Sequence, residues 1–108
     1  MKSIFTISNQ GLVDDGIYGY ELKSDYSFIR YGLDPLNRSF HLYVIMTPKL
    51  EDRNKGYAKE LLNYFFQIVK ENKGVLYPGP YTTSGETYIK HVIEERMAKE
   101  YKVRLLYD

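Results

Sequence analysis

The chain has 108 residues, 44% of them hydrophobic and 27% charged, with a formal charge of +1. That length fits one globular domain, taken here as residues 1–108, and the composition excludes a disordered or low-complexity chain. The near-neutral balance leaves no electrostatic footprint for nucleic acid or a membrane surface. The absence of cysteine excludes disulfides, zinc-thiolate sites and a thiol nucleophile.

Residues 2–8 alternate polar and apolar and predict a first strand, not a signal peptide. Asn9-Gln10-Gly11 and Asp14-Asp15-Gly16 are turn signals. Residues 17–23 alternate and predict a second strand, Ser24-Asp25 turns the chain, and residues 26–32 predict a third. Asp34-Pro35-Leu36-Asn37 carries proline at a favoured turn position. Residues 40–47 form the most apolar strand, expected at a central place covered on both faces. Then the period changes. Ala58, Leu61, Leu62, Phe65, Ile68 and Val69 share one helical face over residues 57–71, and Asn72-Lys73-Gly74 supplies the stop. Residues 75–77 predict a short strand broken by Pro78 and Pro80. Thr83 and Glu86 have capping-box spacing and open a second helix, followed by a strand over residues 102–107.

The order is therefore β-β-β-β-α-β-α-β, an α+β chain with a mixed, mainly antiparallel sheet. The fourth strand, first helix and fifth strand make a β-α-β crossover with parallel strands. No apolar run approaches the ~20 residues of a membrane span, and a cytoplasmic protein is expected. Two histidines, His41 and His91, are too few for a metal site.

The most informative stretch is Arg53-Asn54-Lys55-Gly56-Tyr57-Ala58, between the apolar strand and the amphipathic helix. Backbone N–H groups that open a helix lack internal partners, and the macrodipole adds partial positive charge there. A basic, glycine-containing loop at that point suits a phosphate or pyrophosphate at the carboxyl end of the fourth strand. The same residues also fit a plain solvated turn, with Asp52 or Asn54 as the helix cap.

In its strand-loop-helix setting, Arg53-x-x-Gly56-x-Ala58 resembles the acyl-CoA loop of the GNAT superfamily of N-acyltransferases, whose pattern is Gln/Arg-x-x-Gly-x-Gly/Ala. The resemblance spans about residues 38–99. It implies acetyl-CoA as cosubstrate, no metal, and transfer of the acetyl group to an amine by direct attack. Arg53, Asn54, Lys55, Gly56, Tyr57 and Ala58 would cradle the pyrophosphate. The pantetheine arm would pair with the strand edge at Ile45, Met46 and Thr47, which requires the fourth strand to splay from its parallel neighbour. Tyr88 would protonate the departing thiolate. Glu51 is the candidate base at the mouth of the cleft, with Glu86 and His41 as weaker choices. Read without a ligand, Glu51 is a solvated loop residue, Glu86 a capping partner, His41 a structural histidine and Tyr88 a helix-face residue.

The chain departs from the family in three places. The helices that usually follow the first strand are replaced by turns, residues 48–53 lengthen the approach to the loop, and Thr82 to Tyr88 lacks the usual Asn and Ala spacing. A shortened acceptor wall suits a protein tail or exposed lysine, a small amine, or a homodimer whose second subunit completes the cleft. The rival reading is a non-catalytic module on the same fold that binds CoA or another protein.

Overall fold

The computed structural model describes residues 5–53, 55–78 and 96–106. Strands β1 (Thr6–Asp14), β2 (Ile17–Lys23), β3 (Phe28–Asp34) and β4 (Ser39–Met46) form an antiparallel meander. Helix α1 (Tyr57–Glu71), strand β5 (Val75–Tyr77), helix α2 (Ala98–Tyr101) and strand β6 (Arg104–Leu105) follow. All six strands join one sheet in the order β1-β2-β3-β4-β5-β6. β5 runs parallel to β4, as the crossover requires, and β6 runs parallel to β5. The fold is α+β, with a mixed sheet and two helices among the described residues.

Several boundaries differ from the sequence expectation. Asn9-Gln10-Gly11 does not turn the chain. It continues β1 through a register irregularity, where the Gly11 N–H donates to Asn9 Oδ1 at 2.7 Å. A side chain that satisfies the backbone locally lets a strand carry an extra residue. β3 begins at Phe28 rather than Tyr26 because Ser24 closes the preceding turn: its N–H donates to the Ser27 carbonyl at 2.9 Å, and its Oγ accepts from the Ser27 N–H at 3.1 Å. β6 is confined to two residues, since Lys102 adopts a left-handed conformation at the end of α2. The capping-box residues Thr83 and Glu86, with most of the second predicted helix, lie outside the described residues.

The expected double cover of β4 is also corrected. Phe40 and Leu42 are buried, whereas Tyr43 and Met46 remain 41% and 45% exposed. Among the described residues the helices pack on one face. Leu61, Leu62, Phe65, Phe66 and Val69 of α1 meet Leu22, Ile29, Tyr31, Phe40, Leu42 and Leu76 of the sheet, with Met97, Ala98 and Val103 closing the cluster. Aromatic contacts organise this layer: Phe40 meets the edge of Phe65, and Tyr31 lies tilted against both. Tyr101 ties α2 to α1 by donating to Asn63 Oδ1 at 3.1 Å. This single helical layer fixes where β4 ends and α1 begins.

Candidate functional site

The β4–β5 ladder is short. Among the described residues it pairs Ser39, Phe40 and His41 with Val75, Leu76 and Tyr77. β4 runs on through Leu42, Tyr43, Val44, Ile45 and Met46. Among the described residues four of these five have a partner on the β3 side alone, and Tyr43 has none. A strand with one open edge offers alternate N–H and C=O groups to an incoming extended group. Tyr43 adds a bulge, because Arg30 pairs with Val44 and the next residue, Tyr31, pairs with Leu42. Bulges re-aim side chains and concentrate near functional sites.

At the carboxyl end of this open edge the chain makes a single 3-10 turn (Leu50–Asp52) and enters α1. Gly56 stands at the N-cap with φ +85°, a left-handed conformation that costs other L-residues about 1–2 kcal/mol. Among the described residues no side chain caps the helix, Asp52 included, and Asn54 lies outside the described residues. The first helical bond is from the Glu60 N–H to the Gly56 carbonyl at 3.0 Å. The N–H groups of Tyr57, Ala58 and Lys59 precede it and have no carbonyl to reach within the helix. A Cβ built on Gly56 meets nothing within 4 Å among the described residues, so the space beside Gly56 itself is open.

Three further contacts hold the end of β4 to this helix start. Arg53 Nε donates to the Thr47 carbonyl at 2.9 Å, which anchors the loop to the strand. The Thr47 carbonyl is thereby occupied, and the outer guanidinium nitrogens carry whatever charge Arg53 presents. Ser27 Oγ, buried under the β2–β3 turn, lies 2.6 Å from Thr47 Oγ1. Tyr26 stacks on Tyr57 with ring centroids 4.1 Å apart and planes at 16°. Burial, then Tyr26 and Asp52, push the Tyr57 hydroxyl above the ordinary tyrosine range.

The residues drawn from the sequence are thus partly assembled. Met46, Thr47, Arg53, Gly56, Tyr57 and Ala58 converge at the β4–α1 junction, with exposed Lys55 beside them. Ile45 belongs to the strand but turns its side chain toward the core. Glu51 is exposed on the 3-10 turn. Tyr88 and Glu86 lie outside the described residues. Tyr26, Ser24 and Ser27 were not among the candidates. The Ser24-x-x-Ser27 spacing was the available signal, since a serine three residues before another can close a turn through its hydroxyl. Among the described residues no group of three or more His, Cys, Asp or Glu side chains stands close enough to hold a metal ion. Nor, among those residues, is any helix long and apolar enough to cross a membrane.

Compared with protein-family models, curated proteins and solved structures, the chain matches none.

Proposed function

We propose that the chain is an acyl-CoA-dependent N-acyltransferase that moves an acetyl group from acetyl-CoA to an amine. The observation that carries this reading is the fork. Among the described residues, pairing of β4 with β5 ends at His41, β4 runs on to Met46 without a partner on that side, and it leads to a helix start whose Gly56 N-cap offers no side chain to its N–H groups. An extended arm with amide groups fits an open strand edge, and a pyrophosphate fits a helix start. In CoA the pantetheine arm joins directly to the pyrophosphate, and here the strand edge leads to the helix start.

In this reading the N–H groups of Tyr57, Ala58 and Lys59 hold the pyrophosphate, with Lys55 and the outer nitrogens of Arg53 adding charge. The backbone of Val44, Ile45 and Met46 holds the arm. N–H groups on that edge polarise the thioester carbonyl, where negative charge develops as the amine attacks. The bound cosubstrate supplies an activated acyl group whose thiolate is a good leaving group. The nitrogen–carbon bond forms and the carbon–sulfur bond breaks. The amine gives up one proton, and the thiolate takes one up. Tyr88 is the proposed proton donor and Glu51 the proposed acceptor.

The test is release of CoA thiol from acetyl-CoA in the presence of a panel of primary amines and lysine-bearing peptides. Amine-dependent release that falls at least tenfold in Tyr88→Phe is the expected result. Tight acetyl-CoA binding with no release under any acceptor would favour the non-catalytic alternative.

A further inference from the structure

Every one of the nine residues of β1 is exposed. Its outward edge has no strand partner among the described residues. Phe5, just before the strand, stacks on Tyr64 of α1 with centroids 4.7 Å apart and fixes where β1 starts. Beyond that point the sheet outruns its helical layer, since α1 packs over β2, β3 and β4. Ile7 and Leu12 are left 48% and 65% exposed, beside the exposed ring of Tyr18.

These two apolar side chains share a face. Ile7 pairs with Leu22 and Leu12 with Tyr18, and directly opposed residues of an antiparallel pair lie on one side of the sheet. Leu22 belongs to the core under α1, and Tyr18 lies an even number of residues from it, so both face the helices. Ile7 and Leu12 are an odd number of residues apart, which in a regular strand would put them on opposite faces. The irregularity at Gln10 supplies the missing step, because Asn9 pairs with Tyr20 and Gly11 with Gly19. The bulge thereby gathers Ile7 and Leu12 on the helical side of a free edge.

Edge strands are normally protected by being short or by carrying Lys, other charges or Pro. β6, at the opposite edge of the sheet, follows that rule with two residues, one of them exposed Arg104. β1 is long and has neither Lys nor Pro, and Thr6 to Val13 carry no charged side chain in a chain that is 27% charged. A charged partner strand finds no complement there. A second β1 does. Antiparallel pairing about a two-fold axis beside Gln10 sets Ile7 of each copy against Leu12 of the other, and holds the two Asp14 carboxylates at opposite ends. An edge about 30 Å long with a narrow strip of side chains falls near the lower limit of specific interfaces.

We infer that β1 pairs antiparallel with β1 of a second copy of this chain, forming a weak homodimer with a continuous sheet and reciprocal Ile7–Leu12 contacts. β2 and β3 separate this edge from β4, so the dimer leaves the proposed acetyl-CoA site free and does not depend on the acyltransferase reading.

The experiment is sedimentation velocity of the purified chain from about 1 µM to about 1 mM, a range that brackets weak association. Reversible monomer–dimer exchange is expected. Ile7→Lys and Leu12→Glu, both at exposed positions, each weaken dimerisation at least about tenfold, because each sets a charge against an apolar side chain twice per dimer. Far-UV circular dichroism matching the wild type separates lost association from lost folding. An equimolar mixture of the two variants associates at least about threefold more tightly than either alone, since the mixed dimer keeps one Ile7–Leu12 contact and opposes the two introduced charges. A wild type that stays monomeric throughout, a dimer that neither variant weakens, or a mixture no tighter than its components would overturn the inference.

Discussion

Two adjacent residues after α1 show how a local pattern can be read correctly for the wrong reason. Asn72-Lys73-Gly74 does stop the helix, yet the left-handed residue is Lys73, with φ +53°. The Gly74 N–H reaches back to the Val69 carbonyl at 2.9 Å, in the manner of a helix-ending turn. Gly74 is required instead by contact, because a Cβ there would lie 2.6 Å from Phe40 Cε2 and 3.0 Å from the Arg38 carbonyl. Phe40 is buried and cannot yield. Gly74→Ala is therefore expected to destabilise the protein by about 1–3 kcal/mol in urea unfolding. Lys73→Gly relieves the left-handed strain, and its unfolding midpoint should rise, by the equivalent of about 0.5–1 kcal/mol. The opposite ordering of the two variants would show that the glycine serves the turn after all.

Among elements, the strongly periodic ones were legible and the irregular ones were not. α1 runs over the residues its apolar stripe marks, because Leu61, Leu62, Phe65 and Val69 can reach one core only at helical spacing. β2 and β5 likewise match their expected bounds. β1 was hidden by Asn9-Gln10-Gly11, where a bulge uses the same residue types as a turn. Apolar density in β4 suggested burial on both faces, but Tyr43 and Met46 are half in solvent. Density reports strand propensity as well as burial, and aromatic and β-branched residues serve either. The basic loop was visible as a motif, and its setting at the end of β4 followed from the crossover. The contacts of Ser27 with Thr47 and of Tyr26 with Tyr57 were not visible, because they join segments 20 or more residues apart.

Among the described residues the chain is one sheet with a helical layer on one face. The helical face supplies stability, and its tyrosine makes that pH-dependent. Tyr31 is buried, and burial first, then Tyr20 and Tyr64, push its hydroxyl up from 10 to about 12. In the unfolded chain it ionises near 10. Above that pH the unfolded state loses the proton first and is favoured. Its contribution is thus intact below pH 10 and is lost as pH rises toward 12, about 3 kcal/mol in all. Urea unfolding from pH 9 to 11.5 should show a steeper loss in the wild type than in Tyr31→Phe, and parallel losses would contradict this. The β4 edge carries the proposed chemistry, and its leading into the α1 start is the central claim. The most direct test is the melting temperature of the purified protein with and without acetyl-CoA, in the wild type and in Gly56→Glu. At ten times Kd, binding to the folded state alone adds about 1.4 kcal/mol, a rise of several degrees for a domain of this size. The account predicts that rise in the wild type and its loss in Gly56→Glu, which places a carboxylate beside the helix start. No shift in the wild type at millimolar acetyl-CoA, or an equal shift in both proteins, would contradict it.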